Sequence, residues 1–190
     1  MKKLLAVSLV VLFAISANAQ FKLGITGGLN MASMSGMDNT KSLLGFHAGL
    51  IADISLGPLG VQPGVEFSQK GLKASEGDTK LSLNYIDVPV NLLYKIGLPG
   101  AKILLLAGPN FGYGLSGKWS GGGESEDVKF GSEADQVKRM DLGLNLGGGV
   151  QFLKLQGTIS YTLGLTNLSN VSGGDAVKNN VLKVSLAYFF

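Results

Sequence analysis

From residue 21 onward the chain alternates apolar and polar positions with a period of two. Between Phe21 and Met31 the odd positions Phe21, Leu23, Ile25, Leu29 and Met31 are apolar, with Gly27 the one interruption. The even positions Lys22, Gly24, Thr26, Gly28 and Asn30 hold no large apolar side chain. Such a period puts successive side chains on opposite faces of an extended strand, here one apolar and one polar. Leu44, Phe46, Ala48, Leu50, Ala52 and Ile54 likewise oppose Gly45, His47, Gly49, Ile51 and Asp53. Val61, Pro63, Val65 and Phe67 oppose Gln62, Gly64, Glu66, Ser68 and Lys70, and Ile86 to Tyr94 oppose Asp87 to Lys95. Residues 102–116 form a leucine-rich fifth segment. Met140 to Phe152, Leu155 to Leu165 and Leu182 to Phe190 complete the set. Eight strands are expected and no amphipathic helix.

The connections alternate as well. Short turns fall near Leu56–Gly60, Gly97–Ala101 and Phe152–Lys154, and long polar connections near Ala32–Leu43, Leu72–Lys80, Gly117–Lys138 and Asn167–Asn180. Strands of about ten residues with short turns at one end and long loops at the other predict an all-β, eight-stranded, antiparallel up-and-down transmembrane β-barrel. An even strand count puts both termini on the short-turn, periplasmic side.

Residues 1–19 stand apart. Met1-Lys2-Lys3, the apolar run Leu4–Ile15 and the small-x-small triplet Ala17-Asn18-Ala19 read as a cleaved signal peptide. The expected organisation is a leader over 1–19 and one barrel domain over 20–190, exported to the outer membrane of a Gram-negative bacterium. Removing Lys2 and Lys3 leaves 14 basic and 13 acidic residues, so the formal +3 of the full chain becomes +1. A nucleic-acid partner, which needs a basic patch, loses its support. With no cysteine and one histidine, disulfide frameworks, thiol nucleophiles and two-histidine metal sites are excluded.

Alternation does not itself say which face is outward. A soluble barrel fills its interior with apolar side chains, whereas a membrane barrel turns them to lipid. The polar face carries Lys22, Asp53, Glu66, Lys70, Asp87, Arg139 and Asp141, acids and bases together, which fits pairing inside a lumen. Loop-centred registers place Lys22 opposite Asp53 and Glu66 close to Asp87. The chain ends in a strictly alternating segment with Lys183, Ser185, Tyr188 and Phe190. This resembles the C-terminal signal read by the barrel insertion machinery, with Ser185 where Gly is usual. Phe21, Tyr94, Phe152, Tyr188 and Phe190 would form a girdle at the periplasmic interface. Pro63, Pro89 and Pro109 fall within strands and predict local bulges, because proline lacks a ladder donor. The many inward glycines are expected to make room for the charged side chains.

Several stretches are similar to small outer-membrane barrels of the porin-family or PorT-like group. These are Tyr85-Ile86-Asp87-Val88-Pro89-Val90, Ala107-Gly108-Pro109 with Gly112-Tyr113, Gly164-Leu165-Thr166-Asn167, and the aromatic C-terminus. The resemblance spans the mature chain and implies an outer-membrane barrel, some relatives taking part in protein secretion. Ser160 stands where an arginine is expected before Tyr161, so a luminal role resting on that position does not carry over.

Other signals point to no chemistry. Gly112–Gly117 matches G-x-G-x-x-G, but Lys118-Trp119-Ser120 and three glycines follow instead of a helix, and the dinucleotide fold needs that helix. His47 and Ser68 lie within a register step, yet the inward phase of His47 keeps them from a lipid substrate. Glu124, Glu126 and Asp127 lack EF-hand spacing. No catalytic residue, metal or cofactor is expected. The reading is a non-enzymatic outer-membrane barrel with a side-chain-filled polar lumen. It would act in membrane structure or surface interaction, with outer-membrane lipid, the insertion machinery and a possible protein at the long loops as partners. A secretion-assembly subunit and a soluble periplasmic ligand-binding barrel are the alternatives.

Overall fold

The computed structural model describes residues 20–36, 39–75, 78–131, 133, 136–170 and 176–190; the expected leader over 1–19 lies outside the described residues. Nine strands are present among them: β1 (Gln20–Ser35), β2 (Thr40–Leu56), β3 (Leu59–Ala74), β4 (Lys80–Leu98), β5 (Ala101–Gly121), β6 (Glu124–Val128), β7 (Met140–Phe152), β8 (Leu155–Gly164) and β9 (Lys178–Phe189). Consecutive strands from β1 to β5 pair antiparallel; β5 then pairs with β7, β7 with β8, β8 with β9, and β9 returns to β1. The ring closes and leaves no open edge along these eight staves. Strand β6 is an addition, paired only with Gly117–Gly121 at the far end of β5.

Two-residue turns join the staves at one end. Gly57-Pro58, Pro99-Gly100 and Leu153-Lys154 occupy them, with positive φ at Gly57, Gly100 and Leu153. Both described chain ends lie at this same end of the barrel.

The opposite end departs from expectation. Of the connections read as long polar loops, 32–43 is mostly strand and 72–80 is strand at both of its ends, since the ladders run to Ala32↔Leu43 and on to Lys73↔Lys80. In the third, Glu124–Val128 is strand as well. Alternation persists there, but its sense inverts: Leu72, Leu81, Leu83 and Tyr85 point inward and are buried, while Lys73 and Lys80 are exposed. Together with Met34 they form an apolar cluster, against which Trp119, Val128, Phe130, Val137 and Val177 pack.

The proline bulges are not present. Each proline instead opens the ladder toward the preceding strand without shifting it. Pairing of β2 with β3 passes from Ile51↔Gly64 to Ile54↔Val61 around Pro63; that of β3 with β4 passes from Pro63↔Val90 to Glu66↔Asp87 around Pro89; that of β4 with β5 passes from Pro89↔Asn110 to Leu92↔Ala107 around Pro109. A missing donor opens the ladder over two residue pairs, and the pairs on either side hold the register. True shifts occur elsewhere, between Ser42 and His47 and between Asn84 and Tyr85. Both lie at or close to the level where the sense of alternation inverts.

Candidate functional site in the barrel lumen

Burial settles which face is which. Leu23, Ile25, Leu50, Val65, Leu92, Leu105, Leu146, Val150, Val184 and Leu186 are exposed apolar side chains on the outer surface. Asn30, His47, Asp53, Glu66, Ser68, Lys70, Asp87, Lys95, Asp141 and Lys183 are buried on the inner one. Along this belt the outer surface is apolar where that of a soluble carrier is polar. Phe21, Tyr94, Phe152, Tyr188 and Phe190 are exposed at the short-turn end, where an interfacial girdle belongs.

Across the mid-lumen, one lysine holds two acids. Lys70, 1% exposed, donates from Nζ to Asp87 Oδ1 at 2.9 Å and to Asp141 Oδ2 at 3.1 Å. Those acids come from β4 and β7, so a β3 side chain ties three staves together. Lys183 reaches across from β9 to Glu66 Oε2 at 3.1 Å and lies 3.5 Å from Asp87 Oδ2. Asn179 also donates to Asp141 Oδ2, at 3.0 Å. Buried charges persist when paired and hydrogen-bonded, and this cluster meets that condition by sharing its cations. Gly112 permits the approach of the acids, since a Cβ there would stand 2.9 Å from Asp87 Oδ1 and 3.2 Å from the Asp141 Cβ. At Gly28 the reason is different: a Cβ would stand 1.9 Å from the Val184 carbonyl oxygen, so the demand comes from close backbone approach and not from room for charge.

Nearer the short turns, Lys95 donates to both Asp53 oxygens, at 2.7 and 2.5 Å, and to Ser55 Oγ. Gln62 and Gln156 exchange reciprocal amide hydrogen bonds of 3.2 Å across the barrel. Asn91, Asn145 and Thr162 form a further polar chain.

The expected charged set is therefore partly relocated. Asp53, Glu66, Lys70, Asp87 and Asp141 are luminal and paired. The registers Lys22↔Asp53 and Glu66↔Asp87 are as expected, but Lys22 forms no ion pair among the described residues and Lys95 takes its partner. Arg139 is not luminal. Strand β7 begins at Met140, and the exposed Arg139 guanidinium lies 5.7 Å above the Tyr113 ring and donates to the Phe130 carbonyl oxygen. Alternation extended one residue too far puts it inside. Lys95 and Lys183 are members that the expected set lacks, although Lys95 stands on the polar phase after Asp87. Lys183, Ser185, Tyr188 and Phe190 divide between faces, the first two inward and the aromatic pair outward with rings 5.8 Å apart.

His47 is 1% exposed and directly opposite Ser68, but its Nδ1 contacts Asn30 Oδ1 at 2.8 Å, and Asn30 Nδ2 donates to Ser68 Oγ at 3.1 Å. Asn30 bridges the pair, and both side chains are buried on the luminal face. Gly112–Gly117 lies within β5. Asp127 and Glu126 alternate on β6 opposite Lys118 and Trp119, so the three loop carboxylates do not converge on one face.

The sequence profile of the outer membrane protein beta-barrel domain matches residues 13–170. The chain belongs to this family. Comparison with curated proteins finds no match. Among solved structures, Neisserial surface protein A resembles the chain with a TM-score of 0.53 at 16% identity, over 90% of this chain and 99% of that one. A major outer membrane protein from Thermus thermophilus resembles it with a TM-score of 0.52 at 15% identity, again over 90% and 99%. At these identities the likeness concerns the fold. Together with the apolar outer wall, family membership makes this an outer-membrane protein, and the lipid-facing belt is its exterior.

Proposed function

We propose that this outer-membrane barrel is a closed, non-enzymatic protein that acts in membrane structure and in contacts made by its cell-surface connections. The observation that carries the reading is the bracing of the lumen by Lys70 and Lys183, which join side chains of β3, β4, β7 and β9 at hydrogen-bond distance. Eight staves leave an interior wide enough for side chains only. The apolar cluster around Leu83 and Tyr85 adds a second layer of closure toward the cell surface. Purified protein in planar lipid bilayers should give no sustained conductance; a stable open level would overturn the closed reading.

Residues 1–19 as a cleaved leader, and Lys183, Ser185, Tyr188 and Phe190 as the insertion signal, belong to the same proposal. The purified protein should begin at Gln20 on N-terminal sequencing. Membership of a secretion assembly is supported by the family resemblance alone, and co-purification of stoichiometric partners in mild detergent would favour it over a lone barrel.

A further inference from the structure

The periplasmic mouth of the lumen differs from its middle in charge. Among the described residues, three lysine side chains face it, Lys22 on β1, Lys95 on β4 and Lys102 on β5, against the single side-chain carboxylate Asp53. Lys95 is held by Asp53 and Ser55. Lys22 and Lys102 have no ion pair among those residues, and both lie within electrostatic reach of Lys95. They line one cavity of about 290 Å³ together with Gln151, the turn residues Gly100 and Leu153, and the adjoining strand ends Leu98 and Ala101. Gln151, 5% exposed, carries an Oε1 with no hydrogen-bond partner. Three cations against one counter-charge leave a net repulsion, and an anion between Lys22 and Lys102 reduces it. A rotatable amide beside them supplies both an N–H for an anionic oxygen and an acceptor for a protonated one.

We propose that this mouth is a binding site for a phosphate-class oxyanion, with Lys22 and Lys102 as its cationic walls and Gln151 as its neutral donor and acceptor. Two ammonium groups and an amide suit a partly protonated tetrahedral anion better than a halide, because charge-assisted hydrogen bonds need directed acceptor oxygens. The site opens toward the periplasm, so its occupant is either free phosphate or the phosphate of an inner-leaflet lipid.

The test follows the backbone amide signals of Gly100, Ala101 and Leu153 by NMR, using the full barrel in phosphatidylcholine nanodiscs. Sodium phosphate is titrated against sodium chloride at constant ionic strength. Saturable shifts are expected with phosphate and not with chloride. The Lys22→Gln/Lys102→Gln double variant should weaken saturation about tenfold or more, the loss of charge-assisted bonds. Gln151→Ala should weaken it less. Heat-modifiable gel migration of each variant reports that the barrel is intact. Replacing part of the lipid by phosphatidate separates the sources: shifts present before any phosphate is added identify a lipid headgroup, and shifts only on titration identify the free ion. Non-saturating shifts, or equal saturation in the double variant, would overturn the site.

Discussion

The same strands carry two opposite kinds of wall. Along β4 the outward residues Tyr94, Leu92, Val90, Val88 and Ile86 are apolar, and the inward set includes Lys95, Asn91 and Asp87. Beyond Ile86 the outward residues become Asn84, Ser82 and Lys80, while Tyr85, Leu83 and Leu81 fill the interior. The lower wall is built for lipid outside and paired charge inside; the upper wall is built as a water-soluble protein is, with an apolar centre. One strand geometry serves both, because the pleat fixes only which residues share a face and the surroundings decide which chemistry each face takes. In the lower region stability depends on ion pairs sharing few cations. In the upper region it depends on packing around Leu83 and Tyr85.

The contrast can be broken from either side. Lys70→Met should have the largest effect, since it removes the nearest cation from both Asp87 and Asp141 and leaves Asp87 the more distant Lys183; breaking a buried pair costs about 3–5 kcal/mol. Urea unfolding from bilayers would measure it, and an unchanged midpoint would remove the ion pairs from the account. In the upper wall Leu83→Ala should cost about 2–5 kcal/mol, as deletion of a fully buried leucine does. Folding by heat-modifiable migration and tryptophan emission from Trp119, which packs against this cluster, would report it. On the outer surface, Val88→Lys should cost about 2–4 kcal/mol if Val88 meets the bilayer midplane. The same change at Ser82, higher on the same face, should stay within about 0.5 kcal/mol. Equal costs at the two positions would erase the distinction between the regions. Arg139→Ala should have the smallest effect among the charged sites, about 0.5–1 kcal/mol for an exposed cation–ring contact.

The lower wall is legible in the sequence because lipid, side-chain period and paired charges all act on the same alternation. Strand count follows from it, the facing from the acids and bases gathered on one face, and the registers Lys22↔Asp53 and Glu66↔Asp87 from the loop centres. The upper wall is not, for a physical reason. Where the polarity of the faces inverts, Leu72 and Leu81 fall out of phase with the strands below and flank lysines, so the segment reads as a polar loop. Arg139 is misplaced because alternation carries no mark of where a strand begins. Lys183 draws notice in the sequence only for its place before the terminal aromatics, although the same side chain bridges Glu66 and Asp87. Which lysine meets which acid depends on side-chain reach across the lumen, and Asp53 takes Lys95 from β4 in preference to its register neighbour Lys22.

The chain contains no cysteine, so single cysteines can carry spin labels without background. Labels at Leu92, Val88, Asn84, Ser82 and Lys80, all on the outer face of β4, would be read in nanodiscs for collision with oxygen and with a water-soluble nickel chelate. The two-wall account predicts oxygen-dominated collision at Leu92 and Val88, nickel-dominated collision at Ser82 and Lys80, and a crossover near Asn84. Nickel access at Leu92 and Val88, or a single unbroken regime along the whole series, would contradict it.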